Sequence, residues 1–256
     1  MPIIVFRHPL VVREKKEEVC PLDLKACQDK VLEYLRTRKD ILAAKEIEKI
    51  LKVYPDDLCA LWGKAEILRR DYKFADAEKV LKQILAKCAD HASSLISLAY
   101  IRYHDCRFPE ALRILKAVLR QPDLDRENKA MVYMLMCSIN AKLASLGGLF
   151  SKLAYGTHIN GYFERAEAFA PDLPEVHLGL GTFCLLAPKI AGGNIDRAIE
   201  ELEWAVRIAP DFATANARLA QAYKKKGILE KYNFYLKKAK ELHPENEAVR
   251  EIEQSL

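Results

Sequence analysis

The sequence predicts an all-α chain of stacked helix–turn–helix hairpins, and three observations carry that expectation. The first is composition. Ten glycines and eleven prolines are few for 256 residues, of which half are hydrophobic, a balance that favours helix over a turn-rich β architecture. The second is a period. Setting "LWGKAEILRRDYKFADAEKVL" over "LISLAYIRYHDCRFPEALRIL" pairs Leu61 with Leu95, Ala65 with Ala99, Ala77 with Ala111 and Leu81 with Leu115, all at one constant interval of about 34 residues. The third is that the spacing returns near the C-terminus, pairing Leu202 with Leu236, Ala205 with Ala239 and Pro210 with Pro244. A fixed period of this length marks an array in which each unit buries its apolar face only by stacking on the next.

Taken in order, residues 1–23 lie outside the period and form an N-terminal arm. Its stretch "PIIVFRHPLVV" alternates in apolar character and reads as an extended segment; Arg7 and His8 interrupt it, so it lacks the order of a signal peptide. The units follow near 24–57, 58–91, 92–125, 126–173, 174–212 and 213–246, and residues 247–256 begin a closing helix. Small residues such as Ala65, Ala99, Gly181 and Ala220 let the two helices of a hairpin approach, while Leu81, Leu115, Phe163 and Leu202 fill the space to the next unit. Proline after a second helix ends it and fixes the turn that follows.

Two units exceed the period. The 126–173 unit carries about 14 extra residues, within the 144–160 insertion, where Phe150, Leu153 and Tyr155 give an apolar character that suits either packing or a lid over a ligand or partner. The 174–212 unit is about five residues too long at "APKIAGGN". There Pro188 ends the first helix, Gly192 and Gly193 supply backbone angles closed to other residues, and Asn194 caps the helix starting at Ile195. A phosphate cradle needs a preceding strand and a Gly-x-x-x-x-Gly-Lys-Ser/Thr series, and neither is present.

The units resemble the tetratricopeptide repeat (TPR) over roughly residues 24–246, on Leu180-Gly181, on Phe163 with Ala166 and Pro171, on Leu202 with Ala205 and Pro210, and on Ala220 with Tyr223, Ala239 and Pro244. Departures are Ala89 in place of the closing proline, Pro122 one place early, and Tyr232 where a small residue is usual. The resemblance implies a right-handed superhelical solenoid of about six TPR-like units with a concave groove that binds extended peptides. Carried across position by position, the groove is Gln28, Trp62, Glu66, Arg69, Ile96, Tyr100, Tyr103, Met131 and Met134, then Ala217, Gln221, Lys224 and Lys225. The family's clamp for acidic C-terminal tails is not expected, since Gln28, Leu32, Gly63 and Met131 stand near its positions. A weaker resemblance, on the long first helix with an apolar elbow and the "AP…GG" turn, is to bacterial TPR proteins related to the T component of TRAP-type transporters.

No reaction chemistry stands out. The six histidines are scattered, and the sequence has no His-Glu-x-x-His, Cys-x-x-Cys or Gly-x-Ser-x-Gly. No cofactor or metal is expected, and the chain reads as a non-enzyme. Seven widely spaced cysteines fit a reducing compartment. No apolar run approaches the length that crosses a bilayer, roughly 20 residues, so the expected location is cytoplasmic, without a membrane span. A net charge of +5 from 41 basic and 36 acidic residues is too mild to imply nucleic acid. The basic, aromatic stretch "YKKKGILEKYNFYLKKAK" suits an acidic protein partner or plain solvation. The expectation is therefore a scaffold that binds a peptide or protein surface. The alternatives are a small-molecule or lipid binder with the 144–160 insertion as its lid, and a homo-oligomeric scaffold.

Overall fold

A computed structural model describes residues 23–148, 154 and 156–254. The N-terminal arm before Asp23 and the insertion residues Phe150, Leu153 and Tyr155 lie outside the described residues. The rest is an all-α helical-repeat solenoid. Its helices are α1 (Leu24–Arg36), α2 (Asp40–Val53), α3 (Leu58–Arg70), α4 (Phe74–Lys87), α5 (Ala92–His104), α6 (Phe108–Val118), α7 (Arg126–Leu146), α8 (Ile159–Phe169), α9 (Pro174–Leu186), α10 (Ile195–Ile208), α11 (Ala213–Lys226), α12 (Leu229–Leu242) and α13 (Glu247–Gln254).

Helix starts are written into the repeat. Asp23, Asp57 and Asp125 accept the backbone N–H three residues on, at 3.0, 2.8 and 2.8 Å, and His91 takes the Ser94 N–H at 3.3 Å. These four caps recur at the repeat spacing and satisfy donors that the first turn of a helix leaves unpaired. The hairpin turns share a device too. Arg38, Tyr72 and Cys106, again one repeat apart, have φ of 62°, 59° and 59°, and Gly227 does the same in the last unit at 83°. This left-handed residue ends the first helix and reverses the chain into the second.

The residues that carry the period are the core: Ala65, Ala77, Leu81, Ala99, Ala111, Leu115, Leu202, Ala205 and Ala239 are fully buried. At Gly181 a methyl group would stand 2.6 Å from Leu202 Cγ and 3.2 Å from the Ala198 carbonyl oxygen, so α9 and α10 close to a distance that only glycine permits. In the lengthened turn, Asn194 Oδ1 accepts from the N–H groups of Asp196 and Arg197 at 3.0 and 3.1 Å, while Gly192 takes φ 98°. With no glycine or proline between Arg126 and Gly147, α7 runs for 21 residues where α1, α3 and α5 run for 13. It projects about 12 Å beyond them at ~1.5 Å per residue.

A simple solenoid has contacts only between neighbouring units. Here the stack curls until its first turns meet its later ones. The Arg38 guanidinium bonds Glu175 Oε1 at 2.5 Å and lies 3.8 Å from the centre of the Phe212 ring. Arg36 pairs with Asp172 and, at 3.6 Å, with Glu127. One unit further, the Glu247 N–H donates to Tyr72 Oη at 3.0 Å and the His243 ring meets the Tyr72 ring edge-on at 5.5 Å.

Candidate binding surface

The inner wall of the second and third units is a continuous polar and aromatic network. Trp62 Nε1 donates to Ser97 Oγ at 3.1 Å, Ser97 Oγ donates to Glu66 Oε1 at 2.5 Å, and Arg69 grips Glu66 through two bonds of 3.0 and 2.7 Å. The Arg69 guanidinium then covers the Tyr100 ring at 4.2 Å, and Tyr100 and Tyr103 sit 6.1 Å apart. Helical geometry makes this chain of contacts: residues 62, 66 and 69 share one face of α3, as 96, 100 and 103 share one face of α5. Burial opposes the charge on Glu66, yet Arg69 outweighs it and holds the carboxyl down at about 2. Burial lifts the Tyr103 phenol to about 12, with the neighbouring Tyr100 adding to it, so the Tyr103 hydroxyl stays neutral.

The expected groove residues therefore divide. Trp62, Tyr100, Tyr103 and Met131 are half-buried and line the wall, and the Arg69 side chain between them is mostly buried. Glu66, Ile96 and Met134 are buried: Glu66 organises the network from beneath, and Ile96 and Met134 pack in the core instead of facing a free wall. Met134 does so because Gly179 leaves room for its methyl, which lies 1.9 Å from where a Cβ would stand. Gln221, Lys224 and Lys225 form a separate group in the last unit. Gln221 accepts from Arg218 at 3.0 Å, Lys224 Nζ stands 5.4 Å from the Tyr232 ring centre, and Lys225 Nζ donates to the Leu185 carbonyl at 2.8 Å.

Beyond the expected residues, the structure adds a charged seam beside the wall. Arg38 and Arg70 approach each other, Arg70 pairing with Asp40 and with the Leu35 carbonyl at 3.0 Å. Burial, then the charge of Arg70, lowers the Arg38 pKa to about 10, and neither Arg38 Nε nor Glu175 Oε2 has a hydrogen-bond partner among the described residues. The signal in the sequence was a bulky residue at 38 and 72, the turn position that glycine fills at 227. Elsewhere His177 stacks on Trp204 at 3.8 Å and joins Glu201 and the Pro171 carbonyl, each at 2.6 Å. Among the described residues no three metal-ligating side chains group together, and no helix is long and apolar enough to cross a membrane.

Compared by sequence, the chain matches no protein-family model and no curated protein. Compared by structure, it is similar to human IFIT1, seen as a dimer with PPP-AAAA, at a TM-score of 0.59 and 17% identity over 90% of this chain and 52% of IFIT1. It thus spans about half of IFIT1. PilW, a type IV pilus biogenesis factor, has a TM-score of 0.49 at 17% identity, covering 91% of this chain and 99% of PilW. YrrB, a TPR protein with an unusual peptide-binding site, has a TM-score of 0.40 at 16% identity, covering 83% and 100%. The likeness is one of fold, an all-α helical-repeat solenoid.

Proposed function

We propose that the chain is a non-enzymatic scaffold that binds a peptide or protein surface against the inner wall formed by Trp62, Arg69, Tyr100, Tyr103 and Met131. One observation carries this reading: Trp62, Tyr100 and Tyr103 keep part of their surface open to solvent, while Trp62 and Tyr100 are already held in place by the Trp62–Ser97–Glu66–Arg69–Tyr100 network, whose Arg69 side chain is only 12% exposed. Trp, Tyr and Arg supply most of the binding energy at protein interfaces, and side chains ordered beforehand lose little entropy on binding. Gln221, Lys224 and Lys225 extend the surface toward the last unit and suit an acidic stretch of the partner. IFIT1 is described with PPP-AAAA. In this chain the inner arginines are matched by carboxylates, Arg38 by Glu175, Arg69 by Glu66 and Arg70 by Asp40, which leaves little free positive charge for a phosphate-rich ligand and favours a peptide.

The test is selection of binders from a random peptide library on the full chain, followed by calorimetry of the selected peptides with wild type and Tyr100→Ala/Tyr103→Ala. Loss of at least tenfold in affinity, with helicity intact, is expected. Peptides that bind both proteins equally would exclude this wall.

A further inference from the structure

The turns joining first to second helices in the fifth and sixth units lie side by side, tied by Lys225 Nζ on the Leu185 carbonyl and by a 2.6 Å ion pair between Lys226 and Asp196. These tips carry apolar side chains turned to solvent. Leu186 is 50% exposed, Ile190 100%, Ile228 37% and Leu229 61%. A single exposed leucine is ordinary; four such residues on two linked tips form a patch that calls for an occupant. Ile190, fully exposed, rides on the one-turn helix Lys189–Ala191.

Charge indicates the occupant. Among the described residues Lys189, Lys224 and Lys225 form no ion pair, whereas Lys226 and Lys231 are matched by Asp196 and Glu203. Glu230 is the one acidic residue on the tips without a partner among the described residues. The unmatched cations are lysines, point charges on flexible stems, and not the planar forks that read a fixed carboxylate geometry. Protruding aliphatic side chains ringed by lysines match the layered chemistry of an anionic bilayer surface, with apolar groups at headgroup depth and cations above them.

We propose that this edge is a peripheral docking site for an anionic lipid surface, Leu186, Ile190, Ile228 and Leu229 entering the headgroup layer while Lys189, Lys224 and Lys225 attract it. The site shares Lys224 and Lys225 with the far end of the proposed peptide surface but lies in other helices than Trp62 and Tyr100, so a scaffold bound here would still present those two side chains to a partner.

The experiment is co-sedimentation of the full chain with phosphatidylcholine vesicles, with and without about one-third phosphatidylserine, at ~0.1 M salt. Binding only to the phosphatidylserine vesicles is expected. Ile190→Ser/Leu229→Ser and Lys189→Glu should each weaken it at least fivefold, and Ile41→Ser, on an exposed apolar residue of α2 in the first unit, should not. Ile190 and Lys189 are exposed to solvent, so these variants test the surface and not the fold. Tyr100→Ala/Tyr103→Ala should leave vesicle binding intact, which separates this proposal from the peptide reading. No sedimentation, equal sedimentation with both vesicles, or indifference to the Ile190 and Lys189 changes would overturn it. So would an acidic protein that cross-links at Lys189 while vesicles do not bind, since the edge would then be a protein interface.

Discussion

Truncating Glu175 should loosen the whole superhelix, although the residue lies in the fifth unit and its partner in the first. The Arg38 side chain is 10% exposed and that of Glu175 18%, so the pair has given up most of its hydration for a bond of 2.5 Å and the face of Phe212. Glu175→Ala leaves the Arg38 guanidinium buried over an aromatic ring with no carboxylate. Removing one partner of a buried pair costs about 3–5 kcal/mol, and the residual exposure of Glu175 puts this case near the lower end, at about 3 kcal/mol. The pair is itself incomplete, because Arg38 Nε and Glu175 Oε2 are unpaired among the described residues. Replacing both by apolar residues, as in Arg38→Met/Glu175→Leu, should therefore return stability to within about 1 kcal/mol of wild type.

The assay is urea unfolding of the wild type, the two singles and the double, followed by circular dichroism. A coupling of roughly 2 kcal/mol or more is expected, and the Glu175→Ala curve should broaden as the first unit begins to melt on its own. That broadening follows from topology: the seam is what links units that a simple solenoid would leave independent. Single variants that each cost under ~0.5 kcal/mol and add without coupling would refute the closed seam.

Three further outcomes follow from local geometry. Gly181→Ala should destabilise by about 2 kcal/mol, the helix gain from alanine being outweighed by overlap with Leu202 and the Ala198 carbonyl; Gly63→Ala, whose nearest neighbour is the mobile Cδ1 of Ile47 at 2.9 Å, should fall within ~1 kcal/mol of wild type by thermal unfolding. Cys106→Gly should raise stability by about 1 kcal/mol, because it relieves a left-handed backbone at an exposed residue; a lower melting temperature would refute this. For His177, burial disfavours the charged ring but the bonds to Glu201 and the Pro171 carbonyl outweigh it and raise its pKa, while Glu201 is lowered mainly by its bond to His177. A raised histidine stabilises fully below its unfolded value, near ~6.5, and loses that contribution as pH rises through the native value; a lowered glutamate stabilises above its own unfolded value, near ~4.3, and loses it in acid. Wild type should therefore lose roughly 1 kcal/mol relative to Glu201→Gln between mildly acidic and alkaline pH, and a flat difference across that range would count against the charged pair.

The fold was legible because the repeat repeats its physics. Leu81, Leu115, Leu202 and the alanines at the repeat spacing are visible in the chain as apolar identities, and each is a core residue for the reason the pattern implied. Asp23, Asp57 and Asp125 add caps at that spacing, which the structure brought out. The candidate surface was legible only in part. A repeat fixes which face of a first helix points inward, so Trp62, Arg69, Tyr100 and Tyr103 fell on one wall, but it does not fix how far a stack of unequal units curls. The long α7 and the enlarged turn before Asn194 are the irregularities, and the contact of Arg38 with Glu175, 137 residues away, is a sum over all the units between them. Small angles add along a solenoid, so long-range contacts depend on every hairpin at once and no local window of sequence contains them.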